Sequence, residues 1–340
     1  MLLGELTAPV SRLALVGLAK NTGKTETLAA LLRELHAEGR SVGVTSVGRD
    51  GEEHDVIDIR IEKPRIRLEA GSLVATTDSL LAASGLPHVL LEQTGIRTPL
   101  GQVLIARLRG PGTIEVAGPS AAADVRAVSD AMLGHGAEQV LIDGAIDRRA
   151  ASSPDVADGL VMSTGAVLSE DIGEVVARTR DAVELVRLPG TDERSPLSPG
   201  GAQLALEPRF VLSGDREQIG RLLDENPSAS RMIVPGALPD GFIRDLLAAA
   251  RRRRRELVLV VADATKVFLT DRGPEWYRQA GIELQARRGI ELKALTVNPL
   301  APRSHAFDSA HLRALLAEEL PGLPVFDVLD PDYVAAAAAA

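Results

Sequence analysis

The sequence predicts an α/β protein: a mainly parallel sheet with helices on both faces, joined to a second α/β region. Three observations carry this expectation. Short apolar runs alternate with helix-length segments along most of the 340 residues. Several of those runs are continuously apolar, as in strands buried on both faces. And residues 12–40, RLALVGLAKNTGKTETLAALLRELHAEGR, read strand, glycine-bearing turn, helix.

The elements follow in order. Leu13, Leu15 and Val16 mark a buried first strand, and Leu28, Leu31, Leu32 and Leu35 fall on one helical face. Gly39 is placed to stop that helix. SVGVTSVG (41–48) reads as a second strand, and VIDIRIEKPRIRL (56–68) alternates like a half-exposed one. AGSLVATTDSLLAASG (70–85) reads as a strand and a helix, and PHVLLEQTG (87–95) as a further buried strand. Residues 101–120 hold two alternating runs around Gly110-Pro111-Gly112, which predicts a hairpin there. A helix over 122–136, a buried strand over 138–145 and a strand–loop–helix unit over 158–186 complete the first region. The Pro/Gly/Ser-dense stretch near 191–202 predicts a linker between a domain at 1–190 and a second α/β domain at 203–334. The alanine run 335–340 is low-complexity and is left out of the fold reasoning.

The turn after the first strand ends in Gly23-Lys24-Thr25, the close of a phosphate-binding P-loop. Glycine lets backbone N–H groups approach a phosphate, and the helix N-terminus adds partial positive charge. Lysine reaches the β- and γ-phosphates, and the threonine hydroxyl can ligate Mg²⁺. Lys20, Asn21, Thr22, Gly23, Lys24 and Thr25 are therefore the expected ATP-binding residues, with Thr25 also on the metal. The fold expected around them is P-loop NTPase-like. One departure stands out: the usual spacing places glycine where this chain has Leu18, and the glycine comes one residue earlier, at Gly17. Longer loops of this kind occur in the branch that includes dethiobiotin synthetase and the MinD-like ATPases.

Composition narrows the function classes. The net charge is −9 and aromatic residues make up 2 %, which argues against a nucleic-acid binder with stacking platforms. No apolar run is long enough to span a membrane. The N-terminal residues lack the basic and apolar regions of a signal peptide, so a cytoplasmic location is expected. Without cysteine there is no disulfide, thiol nucleophile or Cys-ligated zinc. The six histidines show no metal spacing.

Ligands of such sheets sit at the carboxyl ends of strands, so acids that follow apolar runs are the candidates. Asp143 ends Val140-Leu141-Ile142 and reads either as a Walker-B-like Mg²⁺ acid or as a turn residue before Gly144. Asp147 and Arg148 follow it in the same loop. Asp50 reads as an acid acting near the nucleotide or as a surface turn, and Glu92 as an acid near the γ-phosphate or an ordinary strand-end carboxylate. With Lys24, these two are the candidate catalytic residues. Asn298, in TVNP at the end of a late strand, resembles the late-strand asparagine that contacts the base in dethiobiotin-synthetase-like proteins, which makes it a candidate for the base. No guanine-reading N-K-x-D is present, which favours ATP over GTP. The run Arg251–Arg255 reads as a solvated helix end.

Several strings together resemble one family: GLAKNTGKTETL (17–28), GVTSVGRDGEEHD (43–55), KPRIRLEAGSLVAT (63–76), EQTGIRTPLGQV (92–103), EVAGPS (115–120), LIDGAIDRRAASSP (141–154), STGAVLSED (163–171), DATKVFL (263–269) and TVNPLAPRSHAFD (296–308). The chain resembles the P-loop subunit of the lysine 5,6-aminomutase reactivase, the partner of a MutS-related ATPase subunit. The resemblance implies a reactivating factor for an adenosylcobalamin-dependent aminomutase, using ATP and Mg²⁺ to exchange a damaged corrinoid for intact coenzyme. Carried over by position, it implies Lys24 and Thr25 as nucleotide residues and Asp143 as the metal acid. No base-off D-x-H-x-x-G string is present, so no tightly held corrinoid is expected on this chain. Two other readings stand beside this one: an ATP-dependent kinase or ligase of the dethiobiotin-synthetase type, and a nucleotide-binding module that hydrolyses nothing.

Overall fold

The computed structural model describes residues 2–48, 65–145, 149–191, 202–302 and 305–339, and it is α/β. The chain divides into two compact units, Met1–Ala177 with Glu291–Ala340, and Arg178–Ile290.

The first unit opens with a short helix α1 (Leu3–Thr7), then β1 (Arg12–Gly17), α2 (Lys24–Ala37) and β2 (Val42–Ser46). Next come β3 (Ile66–Leu68), β4 (Leu73–Thr77), α3 (Asp78–Ser84), β5 (His88–Thr98), β6 (Gly101–Leu108) and β7 (Gly112–Ile114). Helix α4 (Ala122–Gly134), β8 (Gln139–Ala145) and β9 (Gly159–Gly165) follow, and the division at residue 177 falls within α5 (Ile172–Val186). The second unit holds β10 (Ala202–Ala205), α6 (Pro208–Ser213), α7 (Arg216–Glu225), β11 (Ala229–Ile233), β12 (Leu238–Pro239) and α8 (Asp240–Arg252). It continues with β13 (Leu257–Val261), β14 (Val267–Phe268), α9 (Pro274–Ala280) and β15 (Ile282–Ala286). The chain then returns to the first unit with β16 (Glu291–Asn298), α10 (Ser309–Glu319), β17 (Val325–Phe326) and α11 (Pro331–Ala339).

A nine-stranded sheet in the order β17-β16-β9-β1-β8-β2-β4-β6-β5 forms the first unit. From β17 to β4 all neighbours are parallel, and only the β4-β6-β5 edge is antiparallel. Period-two alternation sorts its side chains to two faces. Leu13, Leu15, Val42, Val44 and Leu141 pack with Leu28, Leu31, Leu32 and Leu35 of α2, the face its spacing predicts. The intervening positions turn to α4: Gly43 leaves room for Met132, beside Val140 and Ala137. Helices therefore cover both faces.

The α2 face carries one buried acid. Glu34 accepts from the Gly4 amide at 2.6 Å and the Tyr333 hydroxyl at 2.6 Å, tying α1 and α11 to the core helix. Burial, with the bond to Glu34, raises the Tyr333 phenol far above its ordinary range. Glu34→Ala strands both donors and is expected to cost roughly 2–3 kcal/mol in chemical denaturation, whereas Glu34→Gln, which keeps one acceptor, costs less.

The second unit has a four-stranded parallel sheet in sequential order, β10-β11-β13-β15. Right-handed crossovers in that order put its helices on one face. The core lies there: Leu204, Met232, Leu257, Leu259, Val261, Ile282 and Leu284 against Ile219, Leu223, Phe242, Ile243, Leu246 and Tyr277.

Three expectations change. The second region does not run to residue 334: it ends at Ile290, and β16 and β17 complete the first sheet beside β9. ELKALTVN lies between β17 and β9, and β9 is more than a hundred residues upstream, a pairing that local pattern does not contain. The hairpin sits earlier than Gly110-Pro111-Gly112: β5 and β6 are joined through Pro99-Leu100, with Gly101 at φ +130°, and β7 pairs with β3 instead. Proline at the turn's first corner and glycine at its close fit that bend. The arginine run is partly internal. Arg253 reaches Asp224 and the Gly220 carbonyl, and Arg255 the Leu223 and Ala229 carbonyls, pinning the end of α8 to α7. The linker expected at 191–202 lies almost wholly outside the described residues, as does most of 56–68. The alanine run continues helix α11 to Ala339.

Candidate functional site

The carboxyl rim of the large sheet gathers the candidates. Strand β1 ends at Gly17, and the chain crosses residues 18–23 to enter α2 at Lys24. Two left-handed residues make that crossing, Asn21 at φ 67° and Gly23 at φ 86°. Space at 23 is also tight: a Cβ built there would stand 3.1 Å from the Asn298 Cβ. Gly17 is equally constrained, since a Cβ there would run into the Thr22 hydroxyl. The displaced glycine of the motif thus makes room for Thr22, whose buried hydroxyl donates to the Ala19 carbonyl at 3.0 Å. The Leu18 amide donates to the Ser163 carbonyl of β9 at 2.9 Å, anchoring the first turn of the loop.

Lys24 and Asp143 meet directly. Strand β8 lies beside β1 with Leu15 opposite Asp143, and Asp143 Oδ1 accepts from Lys24 Nζ. Both side chains are about a quarter exposed, at 21 % and 28 %, so the pair faces solvent at the loop. The Asp143 carbonyl also takes the Val47 amide at 2.9 Å, which fixes the end of β2 beside it. Lys20 and Asn21 are exposed on the loop's outer side, and Thr25 is half-buried in the first turn of α2.

Asn298 also reaches the loop, from the end of β16. Its Nδ2 donates to the Asn21 carbonyl at 2.9 Å, and its Oδ1 accepts from the Leu300 amide at 3.1 Å. Beneath the loop three buried hydroxyls join three elements: Thr27 to Thr296 at 2.7 Å, Ser163 to Thr296 at 2.8 Å, and Thr27 to Ser163 at 3.3 Å. Thr27 also bonds the Gly23 carbonyl at 3.1 Å. The sequence reading did not single out these three. The polar residues that interrupt the apolar runs at 163 and 296 are the signal that could have found them, because a buried hydroxyl in a central strand needs a partner. Residues 116–119 belong to the string EVAGPS. They cross the strand ends at the same rim: Ser46 Oγ bonds the Val116 carbonyl at 3.2 Å and the Gly118 amide at 3.0 Å.

Glu92 is not brought to this site. It lies within the eleven-residue β5, opposite Ile105, at the far edge of the sheet. Five strand spacings separate β5 from β1, roughly 24 Å. Its carboxylate accepts from His135 Nε2 at 2.8 Å, beside the end of α4. The run VLL reads as a buried strand from sequence, but in the fold it belongs to an exposed antiparallel edge, and the acid points to a helix end rather than a phosphate. Asp50, Asp147 and Arg148 lie outside the described residues.

A nucleotide and its cation would find groups of the kinds they need at this rim. It offers a left-handed loop entering a helix N-terminus, one lysine, one threonine hydroxyl and one partly exposed carboxylate on the next strand. Among the described residues no three His, Asp or Glu side chains form a metal cluster, so Mg²⁺ here would depend on phosphate oxygens together with Thr25 and Asp143. No helix among the described residues is long and apolar enough to cross a membrane. Comparison with protein-family models, with curated proteins and with solved structures gives no match.

Proposed function

We propose that this chain binds Mg-ATP at residues 20–25 and serves as the nucleotide-binding subunit of a reactivating factor for an adenosylcobalamin-dependent aminomutase of the lysine or ornithine type. The observation that carries the nucleotide part is the meeting of Lys24 and Asp143 at the strand rim, where the loop enters α2. In a chain without nucleotide the two charges neutralise each other. With a triphosphate bound, Lys24 would contact its β- and γ-phosphates and Asp143 would face its cation. Mg²⁺ supplies charge neutralisation on the phosphate oxygens. Thr25 and Asp143 are the residues that would hold it, and the backbone N–H groups of the loop and the first turn of α2 orient the phosphates. Glu92 lies away from the loop, so it is not placed to orient an attacking water there.

The cellular part of the proposal rests on the family resemblance of the strings in both halves. It names a MutS-like ATPase subunit and the aminomutase as partners, in the cytoplasm. The test uses aminomutase inactivated during turnover, supplied with fresh coenzyme, Mg-ATP, the partner ATPase and this chain. Activity is expected to return only when ATP and this chain are both present. No recovery, together with rapid phosphoryl transfer to a small carboxylate, would replace this reading with the synthetase-type one. Titration calorimetry with Mg-ATP tests the binding step separately, and absence of binding would end the nucleotide assignment.

A further inference from the structure

Asn298 holds the phosphate loop from outside it. The strand that carries Asn298 is fixed beside β9, with Asn298 opposite Gly165. Only glycine fits there: a Cβ on Gly165 would run into the Asn298 carbonyl oxygen. The same strand is tied to the first turn of α2 by the buried Thr27–Thr296 hydroxyl pair. From this fixed place the Asn298 amide uses both its ends. Nδ2 takes the carbonyl of Asn21, a non-glycine residue held at φ 67°, and Oδ1 takes the Leu300 amide, the first turn of the strand's exit. A left-handed non-glycine residue costs free energy and persists only where its surroundings hold it. The bond to Asn21 acts on the loop that would hold the phosphates, which ATP and GTP share, and the amide keeps one further N–H and one lone pair.

We infer that Asn298 is a positioning residue for nucleotide binding: it clamps Asn21 in its left-handed conformation, so that the loop stands ready for phosphate, and it does not discriminate between bases. This inference rests on the phosphate-loop reading above for its effect on nucleotide affinity, while the clamp itself is a property of the free protein.

The experiment compares the full chain with Asn298→Ala, Asn21→Gly and the double variant, by calorimetry with Mg-ATP and Mg-GTP and by amide hydrogen exchange of residues 18–25 without nucleotide. Asn298→Ala is expected to weaken Mg-ATP and Mg-GTP by the same factor, about tenfold, and to speed exchange in the loop. Glycine adopts the left-handed conformation unaided. In the Asn21→Gly background, removing Asn298 is therefore expected to cost about threefold or less. Unchanged exchange in Asn298→Ala would overturn the clamp. So would a shift in the ATP-to-GTP preference beyond about threefold with no relief from Asn21→Gly, which would assign Asn298 to the base. If the wild-type chain binds neither nucleotide, the phosphate-loop reading fails, and the exchange comparison still decides whether Asn298 holds the loop.

Discussion

Lys24→Ala is expected to reduce Mg-ATP affinity by at least about a hundredfold while leaving the fold intact. The ammonium is the one side-chain cation in the first turn of α2, and its loss removes charge-assisted bonds to phosphate, each worth roughly 1.5–3 kcal/mol. Two such bonds amount to two or more factors of ten. The effect on stability runs through Asp143 alone. That carboxylate is 28 % exposed, so water takes the place of the lost ammonium. An exposed ion pair contributes about 1 kcal/mol or less. The melting temperature is therefore expected to move by only a few degrees. Unchanged affinity, measured by calorimetry on a variant shown to be folded, would remove the loop from nucleotide binding. Lys24→Arg is expected to restore little, because a planar guanidinium does not reproduce the compact ammonium's contact with the β- and γ-phosphates.

How far the sequence foretold this site depends on the range of each interaction. The loop and the α2 face were legible because their determinants lie within a few residues: Gly23-Lys24-Thr25, and leucines at helical spacing. Asp143 was legible because an acid ending an apolar run falls at the carboxyl end of a buried strand, and parallel order then carries it to β1. Asn298 was recognised as reaching the site, but its partner was not. That the amide closes on Asn21 depends on β16 pairing with β9, a contact across more than a hundred residues. Glu92 shows the opposite failure. Val89, Leu90 and Leu91 carry the apolar pattern of a buried strand, yet Val89 and Leu90 are exposed on an edge. A hydrophobic run reports strand propensity without reporting which neighbours cover it. The return of residues 291–340 to the first sheet was illegible for the same reason: composition marks a linker where proline and glycine are dense, but an unbroken α/β alternation does not record which sheet each strand joins.

Asp143→Asn is expected to separate the cation from the nucleotide. Mg-ATP affinity should fall by more than about tenfold, since a neutral amide is a poorer ligand than a carboxylate for a hard cation. Metal-free ATP should respond the other way. In the free protein Asp143 holds the Lys24 ammonium, and a triphosphate must break that pair before it can use the lysine. The amide holds lysine less strongly, so metal-free ATP is expected to bind up to about fivefold tighter, the equivalent of the roughly 1 kcal/mol such a partly exposed pair supplies. Calorimetry with and without Mg²⁺ reads both effects on one sample. Equal weakening of the two forms would make Asp143 a turn residue that shapes the loop, and the opposite signs expected here cannot arise from a structural defect, which weakens both.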